Sequence, residues 1–413
     1  MTARFTGSFT QQEPIPEDAI EAAVRVMRSG RLHRYNTDGD EIVETALLEE
    51  EFAELVGAKY CLAVASGGVA MTTALRALGI GPGMRVATNA FTLAPVPGAI
   101  AAVGATPVYV EVTDALVIDA GDLAHKVEGC AALLLSHMRG HICDMGAVMA
   151  ICDAAGVPVI EDCAHTMGAT WDGVPSGRFG TMGCYSTQTY KHANSGEGGF
   201  VVSDDADAMA RAIVLSGSYM MYGRHRAAPP PETFADLRYQ TPNVSGRMDN
   251  LRAAILRPQL RTLPERAARW RALYAAMEAD LRGVPGLRII ERDPREGFVP
   301  SSFQFLLPDW PDDAVRDVVA RCLNRGVELK WFGAQEPVGF TSRYSSWRYA
   351  PVPDLPATDA VLAAILDMRL PPTFTVEDCA VIAGIVRDAV GAVWQEVGNT
   401  GPRAELTGGR PPE

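Results

Sequence analysis

Val157-Pro158-Val159-Ile160-Glu161-Asp162-Cys163-Ala164-His165 opens with an apolar run and ends on two carboxylates, and Lys191 follows Asp162 by 29 positions. The run is short and almost wholly apolar, which predicts a strand covered on both faces, as in a parallel sheet. Asp162 then marks the C-terminal end of that strand. In an open α/β sheet this end faces the crevice where ligands bind. Lys191 stands in Tyr185-Ser186-Thr187-Gln188-Thr189-Tyr190-Lys191-His192-Ala193-Asn194-Ser195-Gly196-Glu197-Gly198-Gly199, between a second apolar run and a glycine-rich turn.

The same rhythm extends in both directions. Strands are predicted over 62–65, 85–88, 107–112, 132–136, 157–161, 183–186 and 199–202, with helical patterns at 69–78 and 144–156. Such alternation gives an α/β fold with a mainly parallel central sheet. From 217 to 243 the pattern lapses into Arg224, His225, Arg226, Pro229-Pro230-Pro231 and scattered aromatics, an irregular stretch of the kind that carries function or motion. Two amphipathic helices are predicted at 248–263 and 264–281, then a smaller α+β unit with a strand at 302–307 and helices at 314–325 and 360–368. The expected division is an N-terminal arm over 1–15, a large domain over 16–265, a small C-terminal domain over 266–397 and a disordered tail over 398–413. No internal repeat is found.

Composition bounds the function. A chain of 413 residues, 47% hydrophobic and 21% charged, is long enough for two domains with their own cores. A formal charge of -13 works against nucleic acid and against an anionic membrane as partners. The eight cysteines include no C-x-x-C pair and read as buried thiols in a reducing compartment, so no metal site is expected. Neither a signal-peptide core nor a membrane-length apolar stretch is present, and the expected location is the cytoplasm.

A strand-end carboxylate and a following lysine are the two residue types that pyridoxal phosphate (PLP) chemistry draws from a protein. The lysine amine joins the cofactor aldehyde, and the carboxylate keeps the pyridine nitrogen protonated so that the ring acts as an electron sink. Ser66-Gly67-Gly68, between a predicted strand and helix, offers free backbone N–H groups and the helix dipole to an anion such as the cofactor phosphate. Phe91, after a strand, is placed to stack on the pyridine.

Further stretches are Asn89-Ala90-Phe91-Thr92, Gly104-Ala105-Thr106-Pro107-Val108, His137-Met138-Arg139-Gly140 leading to Asp144-Met145, and Gly196-Glu197-Gly198-Gly199. Together with Ala65 to Ala70, Glu161 to His165 and Tyr185 to Lys191, they resemble the DegT/StrS-type aminotransferases over about Cys61 to Leu260. That family is the sugar and aminocyclitol branch of the fold-type I PLP enzymes, in the aspartate aminotransferase superfamily. The resemblance implies a catalytic set of Lys191, Asp162 and His165, with His165 on the cofactor's phenolic oxygen. It assigns Ser66, Gly67, Gly68, Phe91, Ser186 and Asn243 to cofactor binding. Asn243 would come from a partner subunit, making the active site part of a homodimer interface, although the Arg247 that follows lies two positions later than in the family pattern.

The implied reaction is a transamination with pyridoxamine phosphate as the second cofactor form. Glutamate or glutamine is the implied donor, and a keto sugar or keto cyclitol the implied acceptor. The acceptor pocket is expected to draw on Arg31 to Tyr35, Ser218 to Tyr239 and Lys330-Trp331-Phe332-Gly333, with Arg224, Arg226 or Lys330 either meeting a diphosphate or lying on the solvated surface. Two rivals are sugar dehydration, for which the resemblance implies His in place of the lysine, and a PLP-binding regulator, for which no basic arm or helix-turn-helix is found.

Overall fold

A computed structural model of the chain describes residues 3–400. Seven strands make the central sheet: β1 (Tyr60–Val64), β2 (Arg85–Asn89), β3 (Thr106–Val110), β4 (Ala132–Ser136), β5 (Val159–Asp162), β6 (Met182–Ser186) and β7 (Gly199–Ser203). Their spatial order is β1-β7-β6-β5-β4-β2-β3. Only β7 runs against its neighbours β1 and β6, and the remaining pairs are parallel. Every residue of β4, β5, β6 and β7 is buried, which explains why these strands are apolar on both faces. All the parallel strands therefore end on one edge of the sheet.

The connecting helices start where short polar side chains replace the missing backbone partners. Asp144, Asp205 and Asp249 each accept the amide three residues on, at 3.1, 2.9 and 2.9 Å. Helices Asn250–Arg261 and Leu263–Leu281 follow the central sheet in the chain. Beyond them lies a second sheet of β8 (Arg288–Ile289), β9 (Ser302–Leu306), β10 (Lys330–Trp331) and β11 (Ile365–Arg369), ordered β8-β9-β11-β10 and antiparallel throughout.

One expectation is corrected in this unit. The helix predicted over 360–368 is a helix only over Pro356–Ala364, and Ile365–Arg369 is the strand β11. Ile365-Leu366-Asp367-Met368-Arg369 suits either period, and pairing on both sides with β9 and β10 decides for the strand. The last helix, Val376–Thr400, extends three residues into the segment expected to be a tail, and the rest of that segment, 401–413, lies outside the described residues.

Leu133 and Leu135 of the large sheet and Phe303 and Phe305 of the small one belong to a single apolar core, with Trp270, Leu273 and Met277 between them. Burying a side chain of this size contributes about 1.5–3 kcal/mol. Phe5 and Phe9 of the N-terminal arm meet Phe374 edge-on at 5.1 and 5.2 Å, and the Phe5 amide donates to the Arg325 carbonyl at 2.8 Å. The arm is thereby fixed across the small unit. All eight cysteines are buried and free, as expected of thiols used as small apolar groups.

The irregular segment is tied down by a buried polar knot. Arg34 donates to both oxygens of Glu49 at 2.7 and 2.8 Å, and the Ala63 amide donates to Glu49 at 2.8 Å. His225 lies between them, its Nδ1 3.1 Å from Glu49 and its Nε2 2.7 Å from the Tyr35 hydroxyl. Arg224 donates to the Tyr35 carbonyl and Arg226 to Glu50, so both act at the surface of this segment.

Candidate active site

Four strands of the central sheet deliver polar side chains to one cavity of about 720 Å³, a size suited to a cofactor and a small substrate. Ser66 follows β1 and caps the helix Gly67–Ala77, its hydroxyl accepting the Val69 amide at 3.1 Å. The Gly67 and Gly68 amides, in the first turn, have no acceptor within the helix, and both residues line the cavity. A Cβ on Gly67 would lie 2.9 Å from that of Ser186, so glycine is required where β6 and this helix meet. The Ser186 side chain also lines the cavity.

Ser136 ends β4 and Asp162 ends β5. Thr92 donates to the Ser136 hydroxyl at 2.8 Å, and Ser136 donates to Asp162 Oδ2 at 3.1 Å, while the Ala164 amide donates to Asp162 Oδ1 at 3.1 Å. The Asn89 side chain locks this relay by donating to the Ser136 carbonyl and accepting its amide, at 3.1 and 2.9 Å. Burial raises the Asp162 carboxyl above its ordinary value, and Lys191 and these donors oppose the rise.

Lys191 is held by the turn that joins β6 to β7. Its amide donates to the Gln188 carbonyl at 2.8 Å, and Thr187 and Thr189 close the turn on Gly198 and Gly196. Gln259 and Arg266 grip the far side through the Asn194 and His192 carbonyls, at 2.8 and 2.9 Å. The amine lies 2.9 Å from His165 Nε2. Burial, with Arg139 and Arg369 nearby, lowers its pKa to about 7 against the opposing pull of Asp162. The same burial and the Lys191 charge keep His165 neutral, well below its ordinary value. A lysine so placed is a ready nucleophile near neutral pH.

The cavity thus brings together Ser66, Gly67, Gly68, Asp162, His165, Ser186 and Lys191 from the residues expected in sequence. Phe91 is not among them: it is 1% exposed and packs edge-on against Phe332, ring centres 5.2 Å apart. Asn89 holds the Phe91 carbonyl at 3.0 Å, and Leu93, two residues on, faces the cavity instead. Asn243 is exposed, away from this cavity, and its side chain accepts the Ser245 amide at 3.0 Å. Residues 218–239 and 31–35 stay outside it, whereas Lys330 reaches it. Thr92 and Arg139 stand in stretches that carry the resemblance but had no site role there, and Ser136, Arg369 and the arm residues Phe9 and Thr10 were not legible as site residues, since nothing local marks them.

His137, Glu161 and Cys163 cluster behind Asp162 with the donor types a metal uses. Glu161 accepts the Gly177, Phe179 and Gly180 amides, each at 2.8 Å, and lies 3.1 Å from His137 Nε2. Those bonds occupy the carboxylate, and it anchors the strand end structurally.

A sheet of this topology with a lysine, a strand-end carboxylate and an anion cradle at one edge defines the fold-type I class of PLP-dependent aminotransferases. The chain belongs to the DegT/DnrJ/EryC1/StrS aminotransferase family, whose model matches residues 14–387. It is 32% identical to the UDP-2-acetamido-2-deoxy-3-oxo-D-glucuronate aminotransferase of Pseudomonas aeruginosa, over 65% of this chain and 70% of that one. To the L-glutamine:2-deoxy-scyllo-inosose aminotransferase of Streptomyces fradiae it is 30% identical, over 74% and 72%. The solved structure of DesV from S. venezuelae superposes with a TM-score of 0.76 at 26% identity, covering 90% of this chain and 94% of that one. Among the described residues no helix is long and apolar enough to cross a membrane.

The residues present fit PLP. The free amides of Gly67 and Gly68 with the Ser66 and Ser186 hydroxyls suit its phosphate, and buried Asp162 suits a cationic ring nitrogen, whose charge would offset the cost of burying the carboxylate.

Proposed function

We propose that this aminotransferase moves the amino group of glutamate or glutamine to the carbonyl of a keto sugar or keto cyclitol, with PLP held at the cavity described above. The acceptor class follows from the names of its relatives, which act on an oxo-glucuronate and an inosose. The observation that carries the reading is Lys191, its amine at about 7, sharing a cavity with Asp162 and His165. When bound, PLP supplies an electron sink that stabilises the carbanion formed as the donor Cα loses its proton.

The chain's own residues then divide the work. Ser66, Gly67, Gly68 and Ser186 grip the phosphate. Asp162, oriented by Ser136 and Thr92, keeps the ring nitrogen charged. Lys191 Nζ, with its amine free, would take the proton from the donor Cα and pass it on to the bound cofactor, which requires the neutral amine that its lowered pKa provides. His165 positions that amine from 2.9 Å. Leu93 walls the cavity where an aromatic ring had been expected, so apolar contact, not stacking, bounds it there. The presence of Lys191 disfavours dehydration.

The loop around Asn243 fits a second copy of the chain. Tyr219, Met220, Tyr239 and Val244 are 54%, 58%, 72% and 48% exposed in the same segment, an apolar surface of the kind that dimerisation covers. In such a homodimer Asn243 of one copy would reach the phosphate of the other, and sedimentation of the purified chain as a monomer would remove that role.

The test is absorbance of the chain mixed with PLP, before and after L-glutamate or L-glutamine. A visible band that needs Lys191 and is lost on adding donor, with release of the matching keto acid, is the expected result. A band that no amino donor alters would overturn the reading of amino transfer.

A further inference from the structure

In the same cavity as Ser66, Gly67 and Gly68, the small unit contributes a cationic wall. Asp367 and Arg369 lie two apart on β11 and so share a face, and strand register sets Lys330 of β10 opposite Asp367 and Ser302 of β9 opposite Arg369. Arg139 reaches across from the large domain. Its Nη2 is 2.9 Å from Asp367 Oδ2, and Lys330 Nζ is 3.9 Å from the same oxygen. Asp367 is fully buried, and its other oxygen accepts the Gln304 amide group at 2.7 Å. Arg369 lies over the Tyr190 ring at 3.9 Å and donates to the Phe9 carbonyl at 3.3 Å.

Arg139, Lys330 and Arg369 all line the cavity, and the buried carboxylate of Asp367 pairs with the first two. Arg139 is only 7% exposed; its Nη2 meets Asp367 as an ion pair without hydrogen-bond alignment, and its Nε finds no hydrogen-bond acceptor among the described residues. Buried donors of a guanidinium are costly to leave open. The backbone of Arg139 is itself left-handed, φ 56, a conformation uncommon outside glycine and found where a site holds a residue in place. Burial and the two arginines also lower the Lys330 pKa, with Asp367 and Glu328 opposing. The wall thus sets Arg139, Lys330 and Arg369 against Asp367 and Glu328.

We propose that Arg139 and Lys330, braced by Asp367, form an anion subsite on the substrate side of Lys191 that takes a carboxylate carried by the substrate. The proposal deepens the amino-transfer reading and rests on it for the identity of the substrate. A guanidinium fork matches a carboxylate in two parallel bonds, and Lys330 adds a point charge beside it. Arg139 bridges the two sheets through Asp367, so an arriving carboxylate would complete bonds on both sides of the cavity. That carboxylate comes either from the amino donor or from the carbonyl acceptor.

Glutarate binding by calorimetry, to the chain with and without PLP, reads the subsite directly. Arg139→Gln and Lys330→Gln are expected to weaken it by about 10- to 100-fold, the range of a charge-assisted hydrogen bond, and Arg139→Lys to restore part of the loss. With PLP bound, KM is compared in two arms: L-glutamate against 1-phenylethylamine as donors, and a keto sugar with a uronate carboxylate against its uncharged counterpart as acceptors. The loss is expected to fall on the carboxylate-bearing member of one arm, which names the source. Unchanged glutarate binding in both Gln variants, or equal losses for charged and uncharged partners in both arms, would overturn the subsite. Glutarate binding that depends on Arg139 in a chain that forms no lysine-dependent PLP band would leave the subsite standing and remove the amino-transfer reading instead.

Discussion

Two of the places where this molecule buries ionisable groups are built on opposite terms. In the knot of Arg34, Glu49, His225 and Tyr35, Glu49 receives Arg34 through both oxygens, His225 closes the gap, and its carboxyl is held down to about 2. In the cavity, Lys191, Arg139, Lys330 and Arg369 lean on Asp162 and Asp367, and the Lys191 amine gives up its charge near neutral pH. A buried charge met by an opposite one in good geometry holds segments together. A buried charge left short of a partner is available to a ligand.

Substitutions that break this contrast are ordered by expected effect. Lys191→Ala removes the nucleophile and proton carrier, and amino transfer should fall by about 10⁴-fold or more, the upper range for one acid/base group. The denaturant midpoint should stay or rise, since a desolvated amine is lost; a lower midpoint would show that Lys191 also supports the fold. Glu49→Gln is the mirror experiment. Leaving Arg34 buried without its anion should cost about 3–5 kcal/mol of stability, read as a lower denaturant midpoint, with the lysine-dependent PLP band still formed at low temperature. A loss under about 1 kcal/mol would mean that Tyr35 and solvent suffice to satisfy the arginine.

Gly67→Ala probes the cradle, because the added carbon would sit 2.9 Å from the Ser186 Cβ. The helix start must shift, and PLP affinity should fall by an amount worth about 1–3 kcal/mol, measured by titration of the PLP band. Smallest and most graded are the pH effects. The rate at which PLP joins Lys191 should climb with pH and level off above about 7, because only the neutral amine attacks and its pKa is lowered to that value from 10.5. Glu49 behaves oppositely in stability: its carboxyl is held at about 2 against an ordinary 4.5. That contribution is complete above 4.5 and is lost as pH falls through 2, so an acid midpoint unchanged by Glu49→Gln would contradict it.

Sequence reading was strongest where chemistry coincides with a local pattern. Asp162 ends an apolar strand, Ser66 to Gly68 joins a strand to a helix, and Lys191 precedes a glycine-rich turn, so each was legible from its own neighbours. It was weakest where one or two residues of phase matter. After β2, Phe91 and Leu93 have the same parity and either could meet the ring; the pocket that Phe332 provides for an aromatic side chain settled it. The strand β11 was read as helix because five residues without a breaker do not distinguish a period of 3.6 from one of 2.

The sequence by itself determined the α/β order of strands and helices and marked Ser66, Gly67, Gly68, Asp162, His165, Ser186 and Lys191, which line one cavity, because both follow from short-range periodicity and from polar groups at strand ends. Only the tertiary structure decided that Arg139, Lys330, Asp367 and Arg369 share one wall. Their meeting depends on antiparallel register in the small sheet and on the packing of that sheet against the large one, and neither leaves a mark within any window of the chain.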